Sequence, residues 1–303
     1  MSSDSACPLA PGLYLVATPI GNLGDITLRA LDVLKGVDRI TCEDTRQTQK
    51  LLNHFQIATP TESLHEHNEH ERAPALLEAL KNGQRIAVVT DAGMPGISDP
   101  GALLTAAAVA AGVTVIPIPG ANAALTAVVA SGLPSGAFTY LGFLPEKAGQ
   151  RRTRLEQIAA QSADAPRTII FYEAPHRIAE TLADLEAVFG PELRIVVARE
   201  LTKVHEEFLR GAVANVRQEL AGRDRIRGEI TVVIELPEHK QAGAAASGKT
   251  IGDQVAKLQA ELGIDEKEGL KRLARELNRS KSELYRELQR ERAGQRRRGT
   301  SAG

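Results

Sequence analysis

One pattern recurs along the first 130 residues: a short apolar run, then a loop, then a helical stretch. Residues 13–18, 39–43, 61–64, 85–90 and 113–118 read as strands, and 25–35, 45–55, 73–81, 102–111 and 121–131 read as helices. Asp25 or Thr27 is suited to cap the first helix. Parallel strands need a crossover of a dozen or more residues, and a helix supplies it. The alternation therefore predicts a mostly parallel sheet covered by helices.

At residues 133–136 (LPSG) the rhythm pauses and a second α/β unit begins. Its strands are predicted at 139–143, 168–172, 194–199, 206–209 and 229–235, with helices at 151–160, 177–189 and 213–220. Two strands in close succession around 199–210 imply antiparallel pairing, so this sheet should be mixed. The expected fold class is α/β, with two α/β domains at 12–134 and 135–237. A linker of small residues, 237–248, leads to a helical module at 249–292. There Leu270, Leu273, Ala274 and Leu277 keep helical spacing, 278–280 breaks it, and Leu284 and Leu288 resume it. That spacing resembles a helix-turn-helix unit with helices at 251–262, 267–277 and 280–290.

Charge is divided unevenly. Residues 249–303 hold 14 Lys and Arg against 9 Asp and Glu, a net of +5; the whole chain is −1, so the remainder carries −6. An acidic body with a basic end, including Arg296–Arg298, suits a polyanionic partner, although a solvated charged tail has the same composition. No apolar run approaches the ~18 residues of a membrane span. The first ten residues lack the basic and apolar regions of a signal peptide. Cys7 and Cys42 have no metal-like spacing, and the seven histidines form no HExxH motif, so no metal and a reducing cytoplasm are expected.

Three loops follow strands in the first unit, where α/β folds bind ligands. Residues 18–25 (TPIGNLGD) contain Gly21 and Gly24 but lack G-x-G-x-x-G. A nicotinamide site with Glu43 as its acidic partner thus rests on one GxxG, and a tight turn is the plain alternative. Residues 91–101 (DAGMPGISDPG) pack three glycines, two prolines and two aspartates into one long loop. Such loops are usually functional, and glycines open the backbone to a ligand. Residues 119–122 (PGAN) precede a helix whose N-terminal amides suit an anion. In the second unit, residues 171–177 (FYEAPHR) gather aromatic, acidic and basic groups, including His176 and Arg177. Residues 199–206 gather Arg199, Glu200, Lys203, His205 and Glu206. Aromatic packing and a charged strand turn are the bland readings of these two stretches.

Taken in order, LYLVATPIGNLGDITLRAL, CEDTR, TDAGMPGISDPG, PGANAA, FYEAPHR, RELTKVHEE and RGEITVVIE resemble the tetrapyrrole methylase superfamily, and within it the branch that methylates ribosomal RNA. The resemblance runs from about residue 13 to 236 and extends to the helical end. It implies two α/β domains with S-adenosylmethionine in the cleft between them, and a homodimer. It also implies methylation of the 2′-hydroxyl of a cytidine in the decoding region of small-subunit (16S) rRNA, within an assembled 30S subunit. Matched to the motifs, the cofactor site takes Pro19 and Ile20, then Asp91, Gly93 and Met94, then Asn122 and Ala123. From the second domain it takes Tyr172, Ala198 and Ile230, the last two forming an adenine wall. Many relatives have Ser where this chain has Asn122; an amide can replace that hydroxyl.

Residue type and strand-end position make Glu43 or Asp44 the candidate proton acceptor, with Arg46 and Lys203 holding phosphate or polarising the hydroxyl. Arg29, Arg151, Arg152 and Arg154 join Arg46 as candidate RNA contacts. Two other readings share the sequence: a methyltransferase acting on a tetrapyrrole precursor, and a non-catalytic RNA-binding protein.

Overall fold

The computed structural model describes residues 9–160, 167–236, 251–276, 284–289 and 291. The first sheet holds β1 (Gly12–Val16), β2 (Arg39–Cys42), β3 (Thr61–Ser63), β4 (Arg85–Val89) and β5 (Val115–Ile118). Its order is β3-β2-β4-β1-β5 and every pair is parallel. The crossovers run through α1 (Leu28–Gly36), α2 (Thr45–His54), α3 (Glu69–Lys81) and α4 (Ala102–Ala110); α5 (Ala123–Ser131) follows β5. Because β4, β1 and β5 are neighbours, the loops leaving their carboxyl ends emerge side by side. The three motif loops of the first unit are those loops.

Local chemistry sets the helix starts. Thr27 Oγ1 accepts the Ala30 N–H at 3.1 Å, and Asn122 Oδ1 accepts the Leu125 N–H at 2.9 Å. Each takes up an amide that the first turn leaves open. Asn122 is thus the cap of α5, which begins at Ala123 rather than at 121. Helix α3 begins at Glu69, earlier than 73, because Asn68 Oδ1 accepts the His65 N–H at 2.8 Å and closes the turn that starts it. Pro74 lies inside this helix. Helix α4 follows Gly101, at φ +110, and its open amides turn to another element: Glu69 Oε1 accepts the N–H of Gly101 at 3.0 Å and of Leu104 at 3.1 Å.

The second sheet holds β6 (Phe138–Phe143), β7 (Thr168–Glu173), β8 (Arg194–Arg199), β9 (Glu207–Ala212) and β10 (Ile230–Glu235), with α6 (Ala148–Ala159), α7 (Ile178–Phe189) and α8 (Val213–Ala221). Its order is β6-β7-β10-β8-β9. Only β6 and β7 pair in parallel, so the sheet is mixed, with the expected antiparallel hairpin at β8 and β9. One face packs Leu155, Ile158, Leu182, Leu185 and Val216 from its helices. The other face, through Ile170, Val196, Ala198 and Val233, meets Ala124, Ala127 and Val128 of α5 and Ile20 of the first loop. Helix α5 therefore covers the second sheet although its sequence adjoins the first.

Both sheets fall in one compact unit, and the helices from Ile251 onward form another. In that second unit, α9 (Ile251–Leu262) and α10 (Glu266–Glu276) share a cluster of Ile251, Val255, Leu270, Leu273 and Ala274 with Leu284 and Leu288. The Glu291 carboxylate accepts the N–H groups of Ile251 and Gly252, both at 3.0 Å, and so caps α9. The predicted linker 237–248, the break at 278–280, Leu277 and the basic stretch with Arg296–Arg298 lie outside the described residues. Among the described residues no helix is long and apolar enough to cross a membrane.

Candidate active site

The first two loops are joined. The Thr18 N–H donates to the Gly93 carbonyl at 2.9 Å and the Gly93 N–H donates back to the Thr18 carbonyl at 3.1 Å, an isolated antiparallel bridge. Gly93 sits at φ +89, which favours glycine, and it is pressed near Ile20 and the Ala121 carbonyl. This bridge, the start of α5 and the strand ends of the second sheet enclose a cavity of about 350 Å³. Seven expected cofactor residues line it: Ile20, Gly93, Met94, Asn122, Ala123, Tyr172 and Ile230. Pro19 and Asp91 line a second cavity of about 380 Å³, which shares Ile20, Ala92 and Glu229 with the first. Ala198 lines neither. It is fully buried, paired with Thr231 in the sheet behind the cavity, and supports the wall rather than forming it.

The second sheet closes one side of the site with a strained loop between β8 and β9. Glu200 (φ 53) and Thr202 (φ 65) both adopt left-handed backbone, a cost that surrounding contacts must offset. The Glu200 N–H donates to the Glu229 carbonyl at 2.9 Å, and Glu200 Oε1 accepts the Glu229 N–H at 3.1 Å. Lys203 Nζ then reaches Glu200 at 2.7 Å and Glu229 at 3.0 Å. Burial pulls the Lys203 pKa down, but these hydrogen bonds outweigh it and hold it above the ordinary value, while Lys203 holds the Glu200 carboxyl below its own. Lys203 thus lines the second cavity as a charged group already engaged by two carboxylates.

On the opposite side stand Glu43, Asp44, Asp91 and Asp99. The Asp44 carboxylate caps α2 by accepting the Arg46 N–H at 2.7 Å, and the Asp44 N–H donates to Asp91 Oδ1 at 3.3 Å. Neither Glu43 nor Asp44 lines either cavity. Burial, then the neighbouring Asp91 charge, push the Glu43 pKa up. Asp99 lines the main cavity with no hydrogen bond or ion pair among the described residues; burial, then Glu43 and Asp91, push it to about 7. Asp99, in the 91–101 loop, is not among the expected site residues. The signal available was a second aspartate in a loop that already carried one. Phe143, Leu201 and Glu229 also line the cavity and were not among the expected residues.

The arginines divide. Arg29, Arg46 and Arg154 are exposed and form no ion pair among the described residues. Arg152 is exposed too, with its guanidinium on Asp184. Arg151 corrects the expectation of an RNA contact: it is 1% exposed, bound to Asp184 at 2.7 Å and to Glu180 at 3.4 Å. It faces the interior between α6 and α7, where no phosphate reaches. No group of three or more His, Cys, Asp or Glu side chains suited to hold a metal occurs among the described residues.

The family model described as tetrapyrrole (corrin/porphyrin) methylases matches residues 12–217. A Halalkalibacterium halodurans protein named ribosomal RNA small subunit methyltransferase I is 45% identical, covering 90% of this chain and 93% of its own length. The protein of that name from Synechocystis is 46% identical over 90% of this chain and 95% of its own. Among solved structures, uroporphyrin-III-C-methyltransferase from Thermus thermophilus matches 74% of this chain and 94% of that one, with a TM-score of 0.51 at 17% identity.

Proposed function

The chain belongs to the tetrapyrrole (corrin/porphyrin) methylase family, and we propose that it is an S-adenosylmethionine-dependent ribosomal RNA methyltransferase that modifies the 2′-hydroxyl of a cytidine in the decoding region of small-subunit rRNA. The observation that carries this reading is the meeting of three motif loops and the second sheet at one cavity.

The cavity suits the cofactor. Its apolar residues, Ile20, Ala123, Leu201 and Ile230, fit a purine, and the start of α5 fits a carboxylate. Glu43, Asp91 and Asp99 give the region a negative field that favours a cationic ligand. S-adenosylmethionine supplies an activated methyl group at such a site. The chain's own task is to align the acceptor hydroxyl, exclude water and take up its proton. Alignment alone contributes about 7–11 kcal/mol when the reacting atoms are held for attack. Glu43 is the proton acceptor in this reading: lining neither cavity, it acts through a water, and its raised pKa makes it a stronger base than an ordinary carboxylate. Asp44 is withdrawn from that role because capping α2 occupies its carboxylate. Lys203 fixes the loop that walls the site. Arg29, Arg46, Arg152 and Arg154 grip RNA phosphates. The substrate is the assembled 30S subunit, the enzyme works as a homodimer, and its place is the cytoplasm.

The test uses labelled S-adenosylmethionine and small subunits from cells lacking this protein. Label on one cytidine ribose supports the reading. Cofactor binding without label on subunits or free rRNA overturns it.

A further inference from the structure

The cavity lining includes Ile230, Leu201 and Ala123, by β10 and α5, and also Ser98, Asp99 and Phe143, the last on β6. Of these last three, Phe143 and Ser98 have no part in the reading above. Strand β6 pairs Tyr140 with Ile170 and Phe143 with Tyr172, so three steps along β6 match two along β7. The extra residue is a bulge at Gly142, φ +67, where an added Cβ would stand 3.0 Å from Ser98 Oγ. In an unbroken strand Phe143 would share the face of Leu141, which packs into the core away from the cavity. The bulge turns it to the face of Tyr140 and Tyr172 instead.

There its ring meets Tyr172 edge-on at 5.6 Å, and Tyr172 meets Tyr140 at 5.3 Å. Tyr140 is tied to Ser98, hydroxyl to hydroxyl, at 2.8 Å; Asp99, next in sequence, lines the same cavity, and its charge bears on Tyr172. Phe143 nevertheless stays 55% exposed. A chain with six phenylalanines and no tryptophan spends one of them uncovered at the mouth of its cavity. An exposed ring and a carboxylate unpaired among the described residues, both lining one cavity, offer a flat stacking surface and an acceptor for an N–H donor.

Resting on the function proposed above, we propose that Phe143 and Asp99 form the subsite for the acceptor nucleotide's base: the cytosine stacks on the Phe143 ring and its exocyclic amine donates to the Asp99 carboxylate. Single-stranded RNA bases that are splayed out are held by such stacking and by hydrogen bonds to their edges. A carboxylate reads cytosine through N4–H, which uracil, with a carbonyl there, does not offer. The near-neutral pKa of Asp99 keeps part of it ionised at working pH.

Steady-state methylation of small subunits and calorimetric binding of S-adenosylmethionine are measured together. Phe143→Ala should raise KM for subunits about tenfold, the loss of one base–aromatic stack. Phe143→Tyr should restore it, and cofactor Kd should stay within about twofold in both. Subunits reconstituted with uridine at the target position separate the second contact. Wild-type protein should prefer cytidine about tenfold or more, and Asp99→Ala should reduce that preference to about threefold or less. A rise in cofactor Kd with KM for subunits unchanged would assign Phe143 to the cofactor and overturn the subsite. An undiminished preference for cytidine in Asp99→Ala would do the same. Wild-type protein that labels no rRNA would defeat the functional reading first, and the subsite with it.

Discussion

Lys203 lies directly over the α-carbon of Gly21: a Cβ at Gly21 would stand 2.4 Å from Lys203 Cγ and 3.0 Å from the Leu201 carbonyl. The first loop of one sheet and the strained loop of the other meet at this point with no room for a methyl group. Gly21→Ala should therefore displace Lys203 from Glu200 and Glu229. The expected cost is about 1–3 kcal/mol of stability, with weaker cofactor binding because Leu201 moves with the loop. Thermal unfolding and calorimetry check both.

Glu69 carries the start of α4 and so the end of the 91–101 loop. Glu69→Ala leaves the Gly101 and Leu104 amides without their acceptor, at about 1–3 kcal/mol for each buried amide. Glu69→Gln keeps an acceptor and should recover most of the loss. Urea midpoints of the three proteins give the comparison.

Asp99 makes stability depend on pH. Its folded pKa of about 7 stands above the ordinary 3.8, so the folded state binds more protons between those values. The contribution is fully present below about pH 4 and is lost as pH rises through about 7. Asp99→Asn should remove that fall, gaining on the order of 1–2 kcal/mol over wild type at about pH 8 and nothing at about pH 4. Methylation should drop in the same variant. Equal urea midpoints at pH 8 would contradict this account.

Two arginines three positions apart should behave in opposite ways. Arg151→Ala takes from the buried Asp184 its buried partner and leaves it only the exposed Arg152, and should cost about 3 kcal/mol, the low end for a broken buried pair. Arg154→Ala should leave stability unchanged, weaken RNA binding, and lower the salt slope by about one. RNA titrations at several ionic strengths, with melting curves alongside, separate them.

The parallel sheet was legible because β1, β4 and β5 are apolar runs ended by turn-forming loops, although β3 is the polar stretch Thr61–Ser63. The mixed sheet was legible from the short spacing between β8 and β9. What escaped depended on partners far along the chain. Arg151 reads as one more exposed cation in an RRTR stretch, and only packing against α7 shows it to be a core residue. The raised pKa of Asp99 arises first from burial and then from Glu43, just past the end of β2, and Asp91. Phe143 looks like the next buried position of β6; its reversal depends on a bulge that Gly142 permits and β7 registers. Asn122 was placed at the cavity by its motif, but its capping role became visible only with the helix start.

The reciprocal hydrogen bonds between Thr18 and Gly93 make the loops after β1 and β4 a single panel rather than two independent flaps. Neither turn can swing aside without breaking both bonds at once. A ligand must therefore come and go along the seam between the sheets, and the amide protons of Thr18 and Gly93 can exchange with solvent only through one shared opening.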